Sequence, residues 1–176
     1  MNRALWLALS LALAGCTSSV APARSLVGAV DGTDAYVALV ATDARFVAYV
    51  CDSQRVALWV EGALDAEGRF EQTVAGATLR GALGPDGATG TLTLAGVAHD
   101  FAASDASAEN AGLWAADVTT DAEVMRGGWV VRDTGEQRGA FVGRTSGAVT
   151  PASTLTFRAG IATTDEGAVS HEIVSP

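Results

Sequence analysis

Few side chains in this sequence could perform catalysis. It contains no lysine, which excludes a P-loop lysine, a Schiff base and a Ser-x-x-Lys acylation pair. Of the two histidines, His171 lies in a C-terminal tail, whereas His99 alternates with Val97 and Phe101. That alternation places His99 on an inward strand face as a structural residue. The sequence around Ser146 lacks the G-x-S-x-G spacing of a serine hydrolase. We therefore predict no catalytic residue and no enzyme activity.

Combinations of residues with the spacing of metal ligands are equally sparse. One inward histidine without a second nearby does not make a zinc site. The acidic stretches 31–34 and 117–123 lack the D-x-[DN]-x-[DN]-G order of a calcium loop. The sequence thus predicts no metal site and no cofactor.

Aromatic and basic residues offer one candidate binding surface. Trp129 follows two glycines, with Arg132 close behind it and Arg138 on the next predicted strand. Tryptophan beside arginine is typical of patches that bind a protein or a glycan, although a tryptophan in a β-domain also often belongs to the core. Trp59 and His99 complete the candidate binding residues.

The first 15 residues have the pattern of a secretory signal. Arg3 precedes the apolar run 4–14, which ends in small residues. As a helix this run would reach only ~17 Å, against the ~30 Å of a bilayer's hydrocarbon core. A charged start and a small-residue end instead favour a cleaved signal peptide.

The segment that closes this run, Leu13-Ala14-Gly15-Cys16, resembles the lipobox of bacterial lipoproteins. The resemblance implies cleavage after residue 15 and a lipid-bearing, acylated Cys16. It also implies a location at the cell membrane or the outer membrane, facing the periplasm or the exterior. Residues 16–24 would then be a short lipidated tether. The alternative is an ordinary cleaved signal with a coincidental cysteine.

The charge of the chain excludes one class of partner. It has 20 acidic and 11 basic residues, a formal net charge of −9. Such a chain is not expected to bind nucleic acid or to dock electrostatically on anionic lipid, so membrane attachment would depend on the lipid at Cys16. The second cysteine, Cys51, lies in an apolar run without a basic neighbour and is expected to be a buried thiol.

Short apolar runs separated by turn residues dominate the rest of the chain. The breaks recur about every 8 to 12 residues, which is typical of antiparallel strands. Predicted strands are 25–30, 35–42, 45–51, 55–63, 69–75, 77–83, 90–95, 97–103, 112–118, 127–133, 138–144 and 154–162. Helical periodicity is missing, and the connections are too short for parallel crossovers. We predict an all-β fold with few helices, an antiparallel meander closed as a barrel or folded as a sandwich.

The strands are expected to form one domain, 25–176, with the polar stretch 104–110 as an alternative boundary. Asp31-Gly32 favours a two-residue hairpin turn, and the segment 65–68 a longer turn that ends in a left-handed glycine.

Two neighbouring strands, 35–42 and 45–51, are apolar on both faces. Their second face carries Tyr36, Val40, Val47 and Tyr49. Leaving large apolar side chains in water costs about 1.5 to 3 kcal/mol each. We therefore expect residues after Ala111 to cover this face.

The sequence that follows the predicted signal also resembles secreted β-domains of high-GC bacteria to which no function is assigned. The segments that carry the resemblance are 49–52, Trp59, 76–79, 99–101, 112–113 and 128–140. It implies a secreted β-domain and transfers no site residue.

These observations favour a lipid-anchored, non-catalytic envelope protein that binds a protein or another envelope component through its β-domain. An alternative is a carrier that holds a small apolar ligand inside a barrel, because inward residues such as Ala35, Ala41 and Ala48 are small. A hydrolase is a third hypothesis, and no constellation of residues supports it.

Overall fold

The computed structural model describes residues 22–159, 161–165, 167 and 169–176. The predicted signal peptide, the lipobox and Cys16 lie outside the described residues. Within them the chain forms fifteen β-strands and no helix, which confirms the all-β prediction.

The first eight strands form an up-and-down barrel. They are β1 (Arg24–Val30), β2 (Tyr36–Ala41), β3 (Arg45–Cys51), β4 (Ala57–Ala63), β5 (Arg69–Val74), β6 (Ala77–Gly84), β7 (Gly87–Leu94) and β8 (Val97–Asp105). Their order in the sheet is β4-β3-β2-β1-β8-β7-β6-β5, with β1 and β8 antiparallel. Because β4 and β5 form the two edges of this sheet, the barrel stays open along the β4–β5 seam.

A second antiparallel sheet follows. Its strands are β9 (Gly112–Thr119), β10 (Val124–Val131), β11 (Gln137–Gly143), β12 (Val149–Pro151), β13 (Thr156–Arg158), β14 (Ile161–Thr163) and β15 (Val169–Glu172), in the order β12-β11-β10-β9-β15-β14-β13. The single strand predicted at 154–162 is wrong, because the chain reverses at Ala159 (φ 50°) and forms the β13–β14 hairpin. Apolar alternation continues through that reversal, so periodicity did not reveal it.

The two predicted turns have different outcomes. Between β1 and β2 the chain forms a four-residue loop closed by Val30 N donating to Ala35 O at 3.0 Å, not a two-residue turn. The Thr33 hydroxyl holds this loop by donating to Val30 O and accepting from Ala35 N. The predicted left-handed glycine at Gly68 (φ 76°) is confirmed.

The barrel interior is filled by side chains. Its fully buried residues include Leu39, Phe46 and Leu92, and Phe46 stacks on Phe70 with ring centroids 4.6 Å apart. A Cβ atom added at any of three glycines would lie within 3.0 Å of a phenylalanine ring carbon; these are Gly62, Gly81 and Gly90. This packing argues against a carrier that holds its ligand inside the barrel.

The second sheet covers the outer face of β2 and β3. Tyr36, Val40, Val47 and Tyr49 are at most 7% exposed, and they share one apolar cluster with Leu113, Val130 and Ala140. The prediction that residues after Ala111 cover this face is therefore confirmed. The extent of the single predicted domain stays a prediction.

The two ends of the barrel differ in what they carry. At the near end the chain enters β1, and Arg24 binds both carboxylate oxygens of Asp105 at 3.0 Å and Gly84 O at 2.6 Å. The turns 42–44, 64–68 and 85–86 surround this point. The far end is formed by the turns 31–35, 52–56, 75–76 and 95–96.

A substitution at Gly128 tests the contact between the sheets. A Cβ there would lie 2.6 Å from Tyr49 Cζ and 2.7 Å from Trp59 Cζ2. We expect Gly128→Ala to lower the free energy of unfolding by about 1 to 3 kcal/mol, measured by urea denaturation, because the sheets must separate to admit the methyl group.

Gly84→Ala is the matched control. Its Cβ would meet nothing closer than Gly87 O at 3.8 Å, so its stability should stay close to that of the unmodified chain. Equal stability of the two variants would contradict the close approach of the sheets.

Candidate functional site

An apolar pocket opens at the far end of the barrel, where β4 and β5 diverge. Its volume is about 450 Å³. One wall comes from residues packed on the barrel core, namely Leu58, Val74 and Leu94. The opposite wall comes from Trp59 and from Val142 and Val149 of the second sheet. All six side chains are half-buried. We call this the seam pocket.

Trp59 is the largest side chain of the seam pocket, and its ring is held from two sides. Its centroid lies 4.6 Å from that of Tyr49, and the Arg126 guanidinium carbon lies 3.8 Å from the centroid of the indole. Arg126 also forms an ion pair with Glu61 at 3.4 Å. The indole Nε1 is buried and makes no hydrogen bond within the described part of the chain. These contacts give the pocket a fixed aromatic wall.

Arg132 and Arg138 lie together, as the sequence predicted, but around a different aromatic ring. Their guanidinium carbons lie 4.9 and 4.6 Å from the ring centroid of Tyr36. Arg132 also pairs with Glu136, and Arg138 donates to the carbonyl oxygen of Asp34 at 3.1 Å. This cluster closes one border between the barrel and the second sheet.

Trp129 does not belong to that cluster. It is fully buried on the opposite face of β10, edge-to-face with Phe141 at 5.4 Å, and its Nε1 donates to Ser153 O. A partner at the surface cannot reach it, so the predicted patch of Trp129 with Arg132 and Arg138 does not form. The reason is that residues three apart on a strand point to opposite faces.

His99 lies at the far end of the barrel on the same strand face as the buried Phe101. It is half-buried, and its Nδ1 lies 3.1 Å from the carbonyl oxygen of Asp31 in the β1–β2 loop. Val97, which shares this face, is 57% exposed because it lies beyond the end of the core. His99 therefore joins a loop to the barrel, in keeping with a structural role.

Two buried side chains between the sheets have raised pKa values. Burial raises the pKa of Tyr49 well above its ordinary value, and burial also raises the pKa of the Cys51 thiol. The Tyr49 hydroxyl donates to Ala140 O at 3.1 Å. Both groups are therefore neutral at physiological pH, which suits packing and does not suit nucleophilic chemistry.

Glu123 holds the backbone of a surface turn together. Glu123 accepts hydrogen bonds from the hydroxyl of Ser146 and from the backbone N–H groups of Thr145 and Ser146, and these bonds lower its pKa. Ser146 thus completes a surface turn and has no histidine partner within the described residues. Burial raises the pKa of Glu172 on β15.

Within the described residues, no group of three or more His, Cys, Asp or Glu residues could hold a metal ion. The same part of the chain contains no helix long and apolar enough to cross a membrane. In comparisons with known proteins, the chain matches no family model, no curated protein and no solved structure.

Sequence reasoning identified Trp59 but not its neighbours. Arg126 and Trp59 are far apart in the chain, and the strand pairing that would bring Leu94 and Val149 to one place was unknown. A partial signal was present, because Arg126, Gly128 and Val130 alternate along β10 and so share the face toward the barrel.

We expect loss of the Arg126 side chain to open one face of the Trp59 ring. Among the described tryptophans, Trp114 and Trp129 are at most 8% exposed, so a neutral quencher reports mainly on Trp59. Arg126→Ala should increase acrylamide quenching of tryptophan fluorescence and cost about 0.5 to 1 kcal/mol of stability.

Arg144→Ala is the control, since Arg144 pairs with Asp117 at an exposed site and stacks on no ring. Its quenching should stay unchanged. Unchanged quenching in Arg126→Ala as well would contradict the stacking.

Proposed function

We propose that this protein is a lipid-anchored, non-catalytic binding protein of the bacterial cell envelope. Lipid on Cys16 holds it at the cell membrane or the outer membrane, and the far end of the barrel binds a component of the envelope. A protein and a glycan are the other partner classes that the sequence favours.

One observation carries this proposal: the chain enters the barrel at the end opposite the seam pocket. Arg24 is fixed at the near end by Asp105 and Gly84. Of the predicted tether 16–24, residues 16–23 precede Arg24 and span at most about 29 Å when extended, so the near end lies close to the membrane. The seam pocket at the far end then points away from the membrane, where it can meet a ligand.

The charges of the near end are consistent with this orientation. The turns and strand ends there carry five carboxylates, Asp43, Asp65, Glu67, Asp86 and Asp105, against the three arginines Arg24, Arg45 and Arg69, a net charge of −2. An acidic surface is repelled by anionic lipid, so this end does not bind the membrane itself. Attachment then depends on the lipid, and the barrel stands off the bilayer with its far end free.

Lipidation is tested at the two cysteines. Cys16→Ala should abolish labelling by radioactive palmitate and shift the protein from the membrane fraction to the soluble fraction. Cys51→Ala is the matched control and should retain label and membrane association, because Cys51 is fully buried between the sheets. Label that persists in Cys16→Ala would overturn the anchor.

Orientation is tested by energy transfer to an acceptor lipid in vesicles that carry the lipidated protein. A fluorophore on Ala66→Cys, in the exposed near-end turn, should transfer more energy than one on Gln54→Cys, in the exposed far-end turn. The two sites lie at opposite ends of strands about 20 Å long. Equal transfer, or more from Gln54→Cys, would contradict the proposed orientation.

A further inference from the structure

One arginine at the mouth of the seam pocket pairs with no carboxylate of the described residues. Arg55 lines the seam pocket and is exposed. Its guanidinium makes no hydrogen bond or ion pair within the described residues. Five arginines of that part of the chain pair with a carboxylate, namely Arg24, Arg69, Arg126, Arg132 and Arg144; Arg45, Arg80, Arg138 and Arg158 resemble Arg55 in pairing with none there. Among these arginines without a carboxylate partner, Arg55 is the one that lines the seam pocket.

The acidic residue in the turn that carries Arg55, Asp52, binds the backbone of that turn. Oδ1 of Asp52 accepts hydrogen bonds from the backbone N–H groups of Gln54, Arg55 and Val56 at 2.7 to 2.9 Å. The Ser53 hydroxyl oxygen in the same turn accepts from Gly139 N of the second sheet at 2.9 Å. The carboxylate thus fixes the backbone and leaves the guanidinium available to an external anion.

The walls of the seam pocket suit an aliphatic chain. Leu58, Val74 and Leu94 face Val142 and Val149 across it, with the Trp59 ring as the aromatic surface. A pocket of this size, lined by apolar groups with one polar group that fixes orientation, is typical of sites for small ligands. A methylene fills roughly the ~30 Å³ of a water molecule in the liquid, so about 450 Å³ corresponds to about fifteen methylenes. A twelve-carbon tail therefore fits with its head group outside.

The geometry points to a binding site for a single-chain fatty carboxylate, its tail in the seam pocket and its head group on Arg55. This inference rests on the proposed function, because it takes the far end as the recognition surface. It differs from a carrier with a hollow barrel, since the tail lies between the barrel and the second sheet.

Isothermal titration calorimetry with dodecanoate below its micellar concentration tests the site. The protein is the full-length Cys16→Ala chain, so that no covalent acyl group competes. We expect one dodecanoate per chain. Arg55→Gln should weaken dodecanoate binding about tenfold and change 1-dodecanol binding much less, because only the carboxylate is an anion that forms an ion pair with the guanidinium. Arg80→Gln, an exposed arginine of β6 outside the pocket, is the matched control and should bind dodecanoate normally.

Two variants that alter the pocket test the location of the tail. Val149→Trp should fill the pocket and abolish binding of both ligands, and Leu94→Gln should weaken both by about tenfold if the first variant does not fold, because a polar group then meets the tail. Thermal unfolding verifies that each variant is folded. Absence of dodecanoate binding, or binding that survives in a folded Val149→Trp chain, overturns the site.

Equal loss of dodecanoate affinity in Arg55→Gln and Arg80→Gln overturns the role of Arg55. These results are independent of palmitate labelling at Cys16 and of the orientation on vesicles. Failure of the ligand inference can therefore be distinguished from failure of the anchor.

Discussion

The contact of Tyr49 with the second sheet is the interaction on which the rest of the structure depends. Tyr49 lies in the middle of β3, a strand that is apolar on both faces, and its ring is completely buried on the outside of the barrel. A buried hydroxyl costs about 1 to 3 kcal/mol when it has no partner. The hydrogen bond to Ala140 O satisfies it across the two sheets. The barrel therefore needs the second sheet to bury this face.

The same contact determines what each residue of β10 can be. Gly128 has to be glycine because the rings of Tyr49 and Trp59 occupy the place of a side chain. Its neighbours on that face, Arg126 and Val130, meet Trp59 and the apolar cluster. Trp129 points away and fills the other side of the sheet with Phe141. A sheet of this kind has two buried faces, which explains why its strands lack a clean alternation of apolar and polar residues.

Local patterns and long-range contacts differ in how far the sequence predicts them. Strand positions and the all-β class follow from alternation and turn residues, and the need to cover Tyr36 and Tyr49 follows from apolar residues on both faces of the predicted strands 35–42 and 45–51. The residues that contact these side chains cannot be predicted in the same way, because the alignment of β10 against β4 depends on packing between distant segments. The predicted patch of Trp129 and Arg132 was wrong for a local reason. Side chains alternate between the two faces of a strand, so residues three positions apart point to opposite faces. The prediction of a two-residue turn between β1 and β2 was wrong because the Thr33 hydroxyl stabilises a longer loop than Asp31-Gly32 suggests.

The seam pocket exists because the barrel closes at one end of its seam and not at the other. Near the β4–β5 turn, Asp65 N donates to Arg69 O, and the Gln72 side chain lies against Gly62, so the near half is filled. Toward the far end the strands diverge, and apolar side chains from two core clusters meet without covering each other. A fully paired barrel with this packed interior would have no such opening. The missing pairing between β4 and β5 therefore gives a protein with a packed core a place to bind a ligand. Arg55 lies at this place because its turn is fixed to both sheets.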